Sequence, residues 1–366
     1  MKKKILIIAG ARPNFMKVAP LIKEFKKLRR SFNVKLVHTG QHYDFEMSEI
    51  FFENLNIPEP DIYLGIGSHT HAAQTAKIMI AFEKTVSKEK PDLVIVVGDV
   101  NSTAACALVC AKLHIKLAHV EAGLRSFDRQ MPEEINRVVT DHLSDYLFVS
   151  EKSGLKNLKR EGVSEKKTYF AGNVMIDTLL SNMKAIVRSG VLNRLGLERK
   201  GYSVLTLHRP KNVDLKKTLN EIYDIIRSVS RKINIIYPIH PRAKMMIKKH
   251  GLLKKFKALK TLTMIDPLGY NDFIKLTKES RFVLTDSGGI QEETTVLKVP
   301  CLTMRENTER PVTVGKGTNI IVNRSGKKIL SSVNKILKGH RKRGIVPEKW
   351  DGRSAKRIVD VIKKDL

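Results

Sequence analysis

Short, strongly apolar runs alternate with helix-sized segments along this chain, and the whole pattern occurs twice. In the first half the runs are ILIIA (5–9), VKLVHT (34–39), DLVIVVG (92–98), IKLAHV (115–120), YLFVS (146–150) and KTYFA (167–171). The second half gives SVLTLH (203–208), INIIYPI (233–239), TLTMID (261–266), RFVLTD (281–286), PCLTM (300–304) and TNIIV (318–322). Strands separated by crossovers of that length pair in parallel and carry helices on both faces. At 366 residues the chain also exceeds the size at which one core stops growing. The reading is therefore two doubly wound, mainly parallel α/β domains. The first spans 1–171 and the second 172–350, joined by a partly helical stretch near 172–200 that carries Gly190, Gly196 and Gly201. Residues 351–366 have helical spacing, with Ser354 as a cap, and are expected to pack back on the first domain.

Composition removes several classes. With 42% apolar and 28% charged residues the chain suits a packed globular protein, not a disordered one. The opening MKKKILIIAG holds too short an apolar run for a signal peptide, and AACALVCA (104–111) falls well short of the roughly 20 residues a bilayer span needs. A cytoplasmic protein with no membrane partner is expected. Cys106 and Cys110 lie one turn apart in an apolar run without interleaved ligands, which reads as core and not as a metal site. The balance of 67 Lys plus Arg against 37 Asp plus Glu, +30 in all, is spread along the chain. No arginine-rich tail or aromatic-basic interleaving accompanies it, so no specific nucleic-acid partner is expected.

Open α/β sheets bind ligands beyond the carboxyl ends of their strands. At one such end, DSGGIQEE (286–293) starts a helix: Gly288 and Gly289 let backbone N–H groups approach an anion and Ser287 adds a hydroxyl. Glu293, a turn further on, suits a ribose diol; Arg305 and Arg310 follow the next strand and suit phosphate. Gly10, Arg12 and Lys17 follow the first strand without the third glycine of a dinucleotide fingerprint, which argues against NAD, and no cofactor is expected. His208 and Arg209 follow SVLTL. Asp99 and Glu121 follow two strands of the first half, and Glu133 opens PEEINR with Arg137 one turn on. Singly, each has a plainer reading as a helix cap, a turn or a core histidine. Together, three acids converging on one cleft suit general acid or base work, and no HExxH, Cys/His cluster or complete P-loop points to a metal enzyme or NTPase.

The segments ARPNFMK, TGQH, GDVNST, HVEAGLRS, PEEINR, LHRPKN, IHPR, DSGGIQEE and RENTERP occur in the order found in the non-hydrolysing UDP-N-acetylglucosamine 2-epimerases, and the chain resembles that family over nearly its whole length. The resemblance implies a glycosyltransferase-B type fold of two Rossmann-like domains with a substrate cleft, and a homodimer. It also implies residue roles. Asp99, Glu121 and Glu133 match the family's proton-transfer acids, and His208 its essential histidine. Arg12, with Lys17 beside it, matches the family's phosphate-side arginine, Ser287, Gly288 and Gly289 its diphosphate contacts, Arg310 another nucleotide-side arginine and Glu293 the ribose contact; Arg137 and His208 are further expected to bind the substrate. Gln41 and His42 correspond to the region where bacterial members bind a second, activating UDP-N-acetylglucosamine, and GIGSHTHAAQT after them departs from that pattern. The implied reaction is reversible epimerisation at C2 by elimination and return of UDP. The same features fit a 2-epimerase for another UDP-2-acetamido sugar, such as a diacetamido uronic acid, or a nucleotide-sugar glycosyltransferase.

Overall fold

A computed structural model describes residues 2–10, 12–40 and 57–366, the side chain of Arg12 excepted. The chain divides into two compact units, Met1–Ser181 with Glu348–Leu366, and Asn182–Pro347. Among the described residues no helix is long and apolar enough to cross a membrane.

The first unit is built on seven strands: β1 (Lys3–Ala9), β2 (Phe32–His38), β3 (Ile62–Tyr63), β4 (Leu93–Val97), β5 (Leu117–Ala122), β6 (Tyr146–Val149) and β7 (Thr168–Phe170). Their spatial order is β3-β2-β1-β4-β5-β6-β7, and every pair is parallel. The apolar runs are buried because the sheet is covered on both faces. Leu6, Ile8, Val94 and Val96 pack with Ala105, Cys106, Val109 and Cys110 of the helix Asn101–Lys112. The strand order reverses between β1 and β4, the kind of point at which loops diverge and leave room for a ligand.

The second unit carries β8 (Tyr202–Thr206), β9 (Asn234–Pro238), β10 (Leu262–Ile265), β11 (Val283–Thr285), β12 (Cys301–Thr303) and β13 (Asn319–Ile321). Its order, β10-β9-β8-β11-β12-β13, is again all parallel and reverses between β8 and β11. Leu205, Leu284 and Leu302 of the sheet are buried with Ile222, Ile226 and Val229 of the helix Lys216–Ser230.

The two boundaries fall after Ser181 and after Pro347, where the sequence reading has them after 171 and after 350. Residues 172–181 belong to the first unit, because the helix Val174–Ser181 packs there: Thr178 Oγ1 donates to the carbonyl of Met16 at 2.6 Å. The same helix caps the terminal one. Asp177 accepts the backbone N–H groups of Ser354 and Ala355 at 3.1 and 2.7 Å, so this carboxylate, and not the Ser354 hydroxyl, satisfies the start of Ser354–Asp365. Trp350, only 1% exposed, anchors the returning chain by donating its indole N–H to Ser150 O at 3.0 Å.

Candidate functional site

In the first unit the chemistry lies just beyond β4 and β5. Gly98 leaves β4 with φ 68°, and a side chain there would be strained and would sit 2.7 Å from Lys17 Nζ. Lys17 is buried and forms an ion pair with Glu121 at 2.5 Å. Glu121 is itself a buried residue with φ 80°, at the register shift of β5 against β6. A non-glycine residue held in that region costs about 1–3 kcal/mol, which the surrounding sheet has to offset. It is from this irregular position at the end of β5 that the carboxylate meets Lys17.

Asp99 pairs with Arg137, whose guanidinium also meets Glu134 at 2.6 Å. Glu134 is fully engaged: it accepts from the backbone N–H of Ser126 at 2.9 Å and of Phe127 at 2.8 Å. Burial pushes its proton affinity up, but the Ser126 N–H and Arg137 outweigh that and hold it below the ordinary carboxylate range. Asn136 donates to the carbonyl of Asp99 at 2.9 Å and to Asn101 Oδ1 at 3.2 Å, so the loop is fixed by its backbone as well as its side chain.

In the second unit, Asp286 closes β11. Its buried carboxylate accepts the backbone N–H of His208 and Arg209 and the Asn212 amide, and lies 2.9 Å from His208 Nδ1. Burial opposes the charge, yet these donors, His208 first, hold Asp286 below its ordinary value. Asp286 thus orients the His208 imidazole, whose side chain remains 39% exposed.

The helix Gly288–Leu297 starts beside this pair, and the Ser287 side chain does not cap it. A Cβ on Gly288 would meet Glu309 Oε1 at 2.7 Å and Arg310 Nη1 at 3.1 Å, so only glycine fits against that pair. Arg310 bonds Glu309 at 2.5 Å and Glu292 at 2.7 Å, and Arg305 bonds Glu309 at 2.7 Å. Burial raises the proton affinity of Glu309, but Arg310 and Arg305 more than reverse it and keep the group well below the ordinary range. Glu293 differs: burial, with a further push from Glu292, moves it up to about 8 against the Tyr270 hydrogen bond.

The family model for UDP-N-acetylglucosamine 2-epimerase matches residues 26–363, almost the entire chain. The chain belongs to the non-hydrolysing UDP-N-acetylglucosamine 2-epimerase family. The UDP-N-acetylglucosamine 2-epimerase of Methanocaldococcus jannaschii is 45% identical over 367 residues, covering 98% of both sequences. The crystal structure of the M. jannaschii enzyme in complex with UDP-GlcNAc and UDP matches with a TM-score of 0.92 at 44% identity, covering 99% of each chain. A UDP-2,3-diacetamido-2,3-dideoxy-D-glucuronate 2-epimerase from Pseudomonas aeruginosa is 40% identical over 338 residues, 91% of this chain and 92% of that one. The two parallel-sheet units are accordingly Rossmann-like domains of a glycosyltransferase-B type enzyme.

Within this epimerase, Asp99, Glu121, Lys17 and Arg137 belong to one unit, and His208, Ser287, Gly288, Gly289, Glu293 and Arg310 to the other. Arg12 opens the helix Arg12–Lys26; its side chain, with Gln41 and His42, lies outside the described residues. Lys17 and Arg137 were expected to face the substrate; their observed partners are Glu121, and Asp99 with Glu134. Glu133 is half-buried on the first turn of Pro132–Leu143 and pairs with no cation among the described residues. The buried acid of that turn is Glu134, and its spacing of three from Arg137 was the available signal. Asp286 precedes the serine and glycines of DSGGIQEE, and its role shows only in the fold, which brings His208, Arg209 and Asn212 to its carboxylate. Glu309 carried no sequence signal, since only the fold brings Arg305 and Arg310 around it.

Proposed function

We propose that this enzyme interconverts UDP-N-acetylglucosamine and UDP-N-acetylmannosamine by removing and restoring UDP. The reading rests on the paired acids beyond β4 and β5, with Asp99 against Arg137 and Glu121 against Lys17. A proton on C2 of the sugar is not acidic, so its removal needs an electron sink, and a departing UDP supplies one. A carboxylate takes the C2 proton, the C–H pair becomes the C1=C2 double bond, and the C1–O pair leaves with the β-phosphate. Return of UDP to C1 of the 2-acetamidoglucal, with a proton added to C2 from the other face, gives the epimer. No redox change occurs.

In this scheme Asp99, Glu121 and Glu133 form the proton-transfer set. Ser287 and the N–H groups opened by Gly288 and Gly289 receive the diphosphate, with Arg12, Lys17, Arg137, His208 and Arg310 supplying positive charge and donors as the phosphate oxygen departs. Glu293 meets the ribose; a carboxyl that keeps its proton at neutral pH both donates to and accepts from a diol. The active form is a homodimer.

The P. aeruginosa relative favours one second reading, the same chemistry on a UDP-linked diacetamido uronate. Incubation of each sugar with the enzyme in chelator and without NAD, followed by separation of the nucleotide sugars, tests both. We expect the two UDP-N-acetylhexosamines to reach equilibrium from either side. Turnover of the uronate alone would transfer the assignment, and turnover of neither would end it.

A further inference from the structure

His119 takes no part in the scheme above, yet it is a fully buried histidine next to its centre. Its Nε2 lies 2.8 Å from the carbonyl oxygen of Gly98 and its Nδ1 2.7 Å from Asp141 Oδ1. A carbonyl only accepts, so Nε2 carries a hydrogen. Asp141 also only accepts here: its other oxygen takes the N–H of Gly123 at 3.0 Å and meets Arg125 at 2.7 Å. Both ring nitrogens therefore face acceptors. Arg125 continues to Glu161 at 2.6 Å. The set then holds two carboxylates, Asp141 and Glu161, and one guanidinium; a proton on the imidazole balances it, whereas a neutral ring leaves a surplus negative charge beside a group with no access to water.

We infer that His119, held as an imidazolium by Asp141, is a positioning residue that fixes the Gly98–Asp99 peptide and with it the Asp99 carboxylate. The geometry gives Asp99 three anchors. Arg137 holds its carboxylate, Asn136 holds its own carbonyl, and His119 holds the carbonyl just before it. Gly98 has φ 68°, so the turn has no side chain of its own to stiffen it, and the remaining backbone tie is Gly98 N–H to Val120 O at 3.0 Å. Asp141 reaches His119 from the helix Pro132–Leu143, the same helix that supplies Asn136 and Arg137. One helix thus sets all three anchors.

The catalytic part of this inference rests on the epimerase reading; the protonation part does not, and the two are tested separately. Selective 15N-histidine labelling, with His119 assigned by its loss in His119→Gln, reads the ring directly. Two N–H-type nitrogens are expected, and a bare ring nitrogen would overturn the imidazolium. Kinetics follow in an enzyme already shown to epimerise. His119→Gln opposes its amide oxygen to Asp141 and Asp141→Asn removes the counter-charge; each is expected to lower kcat roughly 10–100-fold, the scale of a displaced catalytic group, with KM nearly unchanged. Combining His119→Gln with Asp141→Asn lets the two introduced amides pair. The amide at position 119 donates its NH2 to Gly98 O, its oxygen accepts the NH2 of the amide at position 141, and part of kcat is expected to return. Wild-type kcat in His119→Gln, or equal losses in kcat and 1/KM with no recovery in the double variant, would overturn positioning. Because Asp141→Asn keeps the histidine, it reports even if His119→Gln folds poorly.

Discussion

Both units gather carboxylates at the carboxyl ends of parallel strands, and they treat them differently. In the first, Asp99 and Glu121 each face one cation, and the backbone is bent to bring them there, at φ 68° for Gly98 and φ 80° for Glu121. In the second, the backbone before the helix Gly288–Leu297 is ordinary extended chain, φ −80° at Ser287, and the acids divide by charge state. Glu309 is clasped by Arg305 and Arg310 and keeps its charge, while Glu293, one turn along, holds its proton up to about 8. Strain and paired charge suit the movement of a proton, since a pair can be opened by a substrate. A stiff arginine-rich shelf beside helix N–H groups suits the binding of an anion that must leave and return.

That contrast predicts which substitutions damage turnover and which damage the scaffold. The largest effect is expected in the first unit. Asp99→Asn and Glu121→Gln should each lower kcat by about 10²–10⁴-fold while the calorimetric Kd for UDP moves less than about threefold. Near-normal turnover in both would dissolve the distinction between the units. Next comes Arg310→Ala, which leaves Glu309 and Glu292 buried with a partner removed. A loss of about 3–5 kcal/mol in urea unfolding is expected, together with weaker UDP binding. A change below about 1 kcal/mol would mean that the arginine shelf is not stiff.

A third effect, on the pH dependence of stability, concerns Glu293. Its folded pKa of about 8 lies above its ordinary 4.5, so between those values the folded state binds a proton that the unfolded state has lost. Stability from this group therefore falls as pH rises through that window. Glu293→Gln keeps the shape and removes the titration, so its Tm relative to wild type should rise steadily from pH 5 to pH 8. A constant difference would mean that Glu293 is ionised in the fold, like Glu309.

Much of this architecture was legible in the sequence because buried parallel strands leave near-continuous apolar runs. Every described strand but one coincides with such a run. The exception, Ile62–Tyr63, is a two-residue edge strand, too short to leave a pattern. The sheet ends were legible for the same reason: Asp99, Glu121, His208 and Ser287 lie at or just beyond the ends of their strands. The pairings of those residues were not legible. Nothing in ARPNFMK announces that Lys17 meets Glu121, and no spacing assigns Asp177 to cap a helix that starts at Ser354, since both depend on contacts between distant segments. Glu133 and Glu134 show the limit at one-residue scale: composition picks the pair, and only helical phase tells which acid is buried against Arg137.

Reaction of UDP-N-acetylglucosamine in deuterium oxide, followed by proton NMR and mass spectrometry, reads proton transfer at C2 itself. Both epimers are expected to accumulate without added NAD or metal, each carrying solvent deuterium at C2. Asp99→Asn or Glu121→Gln is expected to slow deuterium entry and epimer formation together. Epimer formation with the original hydrogen retained at C2, and no slow internal exchange to account for it, would contradict proton transfer by solvent-exchanging carboxylates.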